Sequence, residues 1–183
     1  MCEAIRTEIE PVIDVCHNSV TEAIVDGCTC WIHRKGAAPS DKGPVLIPGS
    51  RGDLSWLVKP VEGAEEGLRS LAHGAGRKLA RSEVKGKIHK LYNHDTLRQN
   101  KWGGKVVCGE DLLAWEEAPE AYKPISTVIN DLTNAGLITP IAAFRPIVTF
   151  KTSEIETDEN RRDPREWQDA RRQAREKKYR NFK

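Results

Sequence analysis

No run of 18 apolar residues occurs in this 183-residue chain, and its amino terminus lacks the basic-then-apolar pattern of an export signal. Membrane insertion and secretion are therefore not expected, and a cytoplasmic protein is. The five cysteines include no C-x2-C pair, the spacing that structural zinc usually needs, so neither Cys16 beside His17 nor Cys28-Thr29-Cys30 reads as a zinc site. Reduced, mostly packing thiols in a reducing compartment are the expectation. Aromatic residues make up only 6% of the chain and hydrophobic residues 38%, a modest interior for one domain, so exposed apolar patches are expected. There is no internal repeat and no βαβ alternation, which excludes solenoids and doubly wound parallel sheets. Strands mixed with helices remain, and the expected class is α+β, a mixed sheet with flanking helices.

Strong charge of one sign is also missing overall, but the formal +2 hides an asymmetry. Residues 158–183 hold ten Lys/Arg and six Asp/Glu, which leaves 19 basic and 21 acidic residues in 1–157, a net of −2. Within the basic tail, Asp163-Pro164-Arg165-Glu166 combines an N-cap, a first-turn proline and a capping-box glutamate. A helix with Trp167, Ala170 and Ala174 on one narrow face is expected to follow. It is either a solvated helix or a contact for the phosphates of a partner.

What the chain does have is His73 in Ser-Leu-Ala-His-Gly-Ala-Gly-Arg, residues 70–77. Gly74, Ala75 and Gly76 are too small to block an approaching phosphate, and Arg77-Lys78-Leu79-Ala80-Arg81 reads as a short helix with two arginines one turn apart. A histidine there can accept a phosphoryl or nucleotidyl group as a phosphoramidate, with Arg77 and Arg81 supplying charge. The alternative is a glycine turn that caps a helix beside a packed histidine. Upstream, Val12, Ile13, Cys16, Val20, Ala23 and Ile24 fall at helical spacing after Pro11, with His17 at the edge of the stripe as either a ligand or a core histidine. Trp31 to Pro39 and Ile47 to Val58 each read as strand, small-residue turn, strand. Residues 61–69 read as a polar connection, Lys85 to Trp102 as a basic insertion, Val106 to Cys108 and Ile138 to Phe150 as strands, and Ser126 to Asn134 as a helix ended by Gly136.

Six segments in order carry a resemblance: Asp14-Val15-Cys16-His17-Asn18, Ile32-His33-Arg34-Lys35-Gly36-Ala37, Ile47-Pro48-Gly49-Ser50, His73-Gly74-Ala75-Gly76-Arg77, Glu117-Ala118-Pro119-Glu120-Ala121-Tyr122-Lys123 and Arg145-Pro146-Ile147-Val148-Thr149-Phe150-Lys151. Together they resemble the RtcB family of RNA ligases, active in RNA repair and tRNA splicing, over about residues 8–151. The resemblance implies a GTP- and Mn²⁺-dependent enzyme that joins 2′,3′-cyclic phosphate or 3′-phosphate RNA ends to 5′-hydroxyl ends. It implies that His73 attacks the α-phosphate of GTP and holds GMP covalently, and that His17 is a manganese ligand. Asn18, Pro48, Gly49, Ser50, Arg51, Ser55, Gly74, Ala75 and Gly76 would line the guanylate, with Tyr122 stacking near the base and Lys151 donating to the guanine carbonyl edge. Lys35, Arg77 and Arg81 match basic positions used for the reaction or for RNA phosphates.

The family's other metal ligands, an Asp and Cys close together and two further histidines, lie in a first half that this sequence does not contain. Residues 1–157 are accordingly expected to be the carboxy-terminal half of an RtcB-like domain, an incomplete fold followed by the charged helical tail 158–183. Gene splitting, a late start codon or truncation would each produce it. The expectation is a ligase fragment inactive by itself. The alternative is a non-catalytic RNA- or guanylate-binding module that needs a separately encoded amino-terminal half.

Overall fold

In the computed structural model, residues 13–63 and 67–151 are described, and they belong to one compact unit that ends at Lys151. The tail from 158 lies outside them. Asp26 and Gly27 take positive φ values of 50° and 77°, the geometry of a two-residue hairpin turn. They join β1 (Asn18–Val25) to β2 (Cys28–Lys35) in an antiparallel ladder running from Asn18 opposite Lys35 to Val25 opposite Cys28. The helix expected from the spacing of Val12 to Ile24 is thus corrected to a strand from Asn18 onward. Exposure alternates with period two along β1, and Val20 and Ile24, which set the helical spacing, both lie on the open face.

Both strand–turn–strand readings hold. Gly36, at φ 67°, leads β2 into β3 (Ala37–Pro39), and β4 (Val45–Ile47) turns into β5 (Ser55–Pro60). β3 pairs with β6 (Ser70–Ala72); β5 lies between β4 and β8 (Ile138–Phe144); β7 (Lys105–Cys108) pairs in parallel with β9 (Val148–Lys151). The strand expected across Ile138 to Phe150 is therefore two strands. Pro146 interrupts them, and the carbonyl of Ile147 accepts from Lys105 N–H at 2.9 Å as the second pairing begins.

Among the described residues the helices are α1 (Arg81–Ile88), α2 (His94–Leu97), α3 (Asp111–Glu116) and α4 (Ile125–Asn134), with a 3₁₀ turn at Pro119–Ala121 between the last two. The class is α+β, as expected, with the strands of the described residues spread over four small sheets. α4 ends as its sequence dictates: Gly136 at φ 69° donates to Thr133 O and Leu137 donates to Leu132 O, a Schellman closure. The short helix expected at Arg77 to Arg81 is not there. Lys78 and Leu79 both donate to Ala121 O, at 2.8 and 3.2 Å, which keeps the segment out of a helix until α1 begins at Arg81.

Ala38, Val45, Ile47, Val58, Leu71, Ala75, Ile125, Ile129 and Ile138 form the main core between the β4–β5–β8 sheet and α4. A second cluster joins Val84 and Ile88 of α1 to Ala118 and Ala121, and a third joins Leu97, Val106, Cys108 and Ala114. Cys108 is the buried thiol. Cys16, Cys28 and Cys30 are exposed, so packing describes only one of the four described cysteines. The turn between β4 and β5 allows no side chain at its glycine: a Cβ on Gly49 would stand 2.1 Å from Leu54 O. Gly49→Ala is expected to cost about 1–3 kcal/mol through forced backbone movement, read as a lower urea midpoint at unchanged slope. An unaltered midpoint would mean the turn relaxes freely.

Candidate functional site

His17 and His73 meet as stacked rings, with centroids 4.1 Å apart and planes inclined by 15°. Backbone pairing sets this up. Ala37 N–H donates to His17 O at 3.4 Å, and His73 N–H donates to Gly36 O at 3.2 Å, so the β2–β3 junction holds one histidine on each side. Asn18 Oδ1 accepts from Gly36 N at 3.2 Å and fixes the same junction. Beneath it Arg34, buried at 7% exposure, donates to Ser70 Oγ and Thr21 Oγ1 at 2.8 and 2.7 Å and to the carbonyls of Leu68 and Arg69. That guanidinium ties the hairpin to the strand leading into His73. Sequence reasoning gave Arg34 no such role; its place on the buried side of β2 becomes evident only once the hairpin register is known.

Half-burial of His73 and the neighbouring charge of His17 hold its pKa below the ordinary histidine value. It is therefore neutral at neutral pH, with a lone pair free for nucleophilic attack. Gly74 follows at φ 132°, where a Cβ would come within 3.2 Å of Pro48 O, so it brings the Pro48 turn against the histidine segment. Gly76 takes φ 72° and nothing lies within 4 Å of the Cβ position it leaves empty. A side chain there would be strained and would occupy open space beside the histidine segment. Ala75 is buried in the main core. Ser55 Oγ accepts from Gly49 N at 3.3 Å, and Ser50 Oγ accepts from Gly52 N at 3.3 Å, so each hydroxyl keeps its own proton for donation.

Arg51 does not point with its neighbours. It is 6% exposed, donates to Leu97 O at 2.5 Å, and leaves Nε and Nη2 without a partner. Burial pulls its pKa down against the opposing influence of Tyr92, Cys108, Glu120 and Glu117. Its guanidinium is placed to hold the turn onto the α2 segment.

Three more expected residues converge through a fourth that sequence reasoning left without a role. Glu117 lies 3.6 Å from Lys151 and 4.0 Å from Arg77, and it accepts the Tyr122 hydroxyl in a short hydrogen bond. Arg77 donates to Tyr122 Oη at 2.9 Å, Glu116 O at 2.8 Å and Leu79 O at 3.2 Å, with its guanidinium carbon 4.8 Å from the centre of the Tyr122 ring. Burial and the bond to Glu117 push the Tyr122 pKa to about 12, so the phenol remains a donor. The 3₁₀ turn at Pro119–Ala121 folds position 117 back to position 122. A proline between two polar residues five apart was the available signal. Arg81, at the start of α1, is largely exposed and lies 3.6 Å from Glu116. Lys35 is exposed at the end of β2 opposite Asn18.

The donor set does not fit a complete manganese site. Among the described residues no three His, Cys, Asp or Glu side chains come together, and the ring facing His17 is the candidate nucleophile. No helix of the described residues is long and apolar enough to cross a membrane.

Against known proteins, residues 1–152 match the family described as tRNA-splicing ligase RtcB. The chain is 48% identical over 151 residues to RNA-splicing ligase RtcB2 of Escherichia coli, an alignment covering 82% of this chain and 40% of that protein. It is 34% identical over 166 residues to tRNA-splicing ligase RtcB of Methanopyrus kandleri, covering 78% of this chain and 16% of the relative. With tRNA-splicing ligase RtcB of Pyrococcus horikoshii it shares 37% identity over 161 residues, covering 76% and 18%. The chain thus spans 40% or less of the length of each of these relatives.

Proposed function

Because the chain belongs to the RtcB family, we propose that it is the nucleotide-accepting part of an RNA ligase that joins 2′,3′-cyclic phosphate or 3′-phosphate ends to 5′-hydroxyl ends. Water opens the cyclic phosphate to a 3′-phosphate. Neutral His73 attacks the α-phosphorus of GTP; an N–P bond forms, the bond to the bridging oxygen breaks, and pyrophosphate leaves. An oxygen of the RNA 3′-phosphate then displaces the histidine and takes GMP. Finally the 5′-hydroxyl attacks the 3′-phosphorus and GMP departs. The observation that carries this reading is a half-buried His73 stacked on His17 and followed by the small residues Gly74, Ala75 and Gly76.

Around it, Ser50 and Ser55 would donate to guanylate oxygens, Lys151 would donate to the guanine carbonyl, and Arg77 would act through Tyr122 and Glu117 to position that lysine. His17 would supply one ligand to Mn²⁺, and the rest would come from a polypeptide equivalent to the part of the longer relatives that this chain does not cover. Residues 1–157 would form the ligase part and 158–183 a basic appendage for RNA.

Radiolabelled GTP with Mn²⁺, with and without that complementary polypeptide, tests the assignment. The expected label on the chain is acid-labile, alkali-stable and absent in His73→Asn. Undiminished labelling of His73→Asn would overturn it. The absence of a metal cluster among the described residues favours one other reading, a non-catalytic module that binds RNA or guanylate. That reading predicts RNA retention with no label under either condition.

A further inference from the structure

The open face of the β1–β2 hairpin runs directly away from the histidine pair. Side chains alternate across a strand, so Lys35, His33 and Trp31 share one face of β2, opposite Asn18, Val20 and Glu22 of β1. At the Lys35 end of the hairpin a shallow groove of about 510 Å³ is lined by Asn18, Ser19, Val20, His33, Arg34 and Lys35, and Trp31 stands beyond it. Trp31 is 63% exposed, and no ring or cation covers it among the described residues. Neither His33 nor Lys35 has a polar partner there.

We infer that this face is a platform for the single-stranded RNA end that enters the site, with Lys35 and His33 on its backbone and Trp31 under a base. This rests on the ligase reading above. The order of the residues is the argument. Lys35 adjoins Gly36, whose carbonyl accepts from His73, so the cation belongs to the end of the row that joins the histidine segment. His33 comes one same-face position further out and Trp31 one beyond that. Four residues of strand span ~13 Å, about the length of four stacked nucleotides. The carboxylate on this face, Glu22, lies opposite Trp31 and away from the phosphate end of the track. A sheet face with a cation at one end and an exposed aromatic at the other is the arrangement by which sheets stack bases of single strands without reading a duplex. A protein partner would instead be matched by a continuous apolar surface, and here the exposed Val20, Ile24 and Trp31 are interrupted by Asn18, Glu22, His33 and Lys35.

The test uses the full chain and a short fluorescent single-stranded RNA with a 3′-phosphate, titrated at several salt concentrations. Trp31→Ala is expected to weaken binding about tenfold, Trp31→Phe to restore most of it, and Lys35→Gln to lower the salt slope by about one. Guanylylation of His73, measured on Trp31→Ala with the complementary polypeptide, is expected to stay at the wild-type level. Labelling that persists while Trp31→Ala binds RNA as tightly as wild type rejects the platform and leaves the ligase reading standing. Trp31-dependent RNA binding without any labelling supports the platform and rejects the ligase reading. Loss of association with the complementary polypeptide in Trp31→Ala, at unchanged RNA affinity, makes the face a protein interface and overturns the proposal.

Discussion

Arg77→Lys is expected to lower the melting temperature by roughly 6–12 °C, corresponding to about 3 kcal/mol in a chain of this length. The guanidinium spends all three nitrogens on fixed acceptors: Nε on Leu79 O, Nη1 on Tyr122 Oη, and Nη2 on Glu116 O. It also covers the Tyr122 ring and lies 4.0 Å from Glu117, with its side chain 23% exposed. One ammonium cannot replace a planar fork that faces three directions. Leu79 O and Glu116 O would lose their partner, and Glu117 would keep only Tyr122 and Lys151. Thermal unfolding followed by circular dichroism reads the effect. A shift under about 2 °C would mean the cluster re-forms around water, and the positioning role of Arg77 would fall with it. Tyr122→Phe separates the contributions. It removes the phenol that bridges Arg77 and Glu117 but leaves the two carbonyl bonds, so it should cost less, and the double variant should cost less than the sum.

How far the sequence discloses this arrangement depends on the range of each interaction. Short-range chemistry is legible. Gly136 ends α4 by the closure its position implies, and the small residues around Gly36 and Pro48 turn the chain between strands. The pairing of His17 with His73 is not written in either local segment. It arises because β2 and β3 meet at Gly36, whose carbonyl meets the backbone N–H of His73. Only the order of motifs hinted at it. The helical reading of residues 12–24 failed because Val20 and Ile24 are spaced four apart, which one helix face and one strand face both satisfy. Asp26-Gly27 was the deciding signal, since a hairpin turn there demands a strand on each side. The Arg77–Arg81 segment failed for a different reason. Its local propensity is helical, but two N–H groups bonded to Ala121 O override it. Arg51 shows the same limit at a site residue. A basic residue in a glycine-rich turn reads as ligand-facing, and its inward burial against Leu97 O depends on a partner 46 residues away.

Without a complementary polypeptide, the chain is expected to seal RNA at least about a hundredfold more slowly than with it. Every chemical step of the proposed reaction builds negative charge on phosphorus-bound oxygens, and a divalent ion at such a centre supplies several kcal/mol of stabilisation. The described residues cannot gather one: His17 faces His73 across 4.1 Å, and no third ligating side chain joins them. The available cations do not substitute. Arg77 is committed to Tyr122 and two carbonyls, and Arg51 is buried against Leu97 O. Lys151 and Arg81 stand within 4 Å of Glu117 and Glu116, which offset part of their charge. Lys35 alone of the expected basic residues is both exposed and without a carboxylate partner among the described residues. The measurement is product formation from a 5′-hydroxyl RNA and a cyclic-phosphate RNA with GTP and Mn²⁺, with the chain alone and with the amino-terminal portion of the Escherichia coli relative added. Manganese affinity, followed by electron paramagnetic resonance, should rise in the mixture and fall again when His17→Ala replaces the wild-type chain. Rapid sealing by the chain alone would require a metal site built by its own residues, and the proposal that His17 supplies one ligand of a shared site would then be wrong.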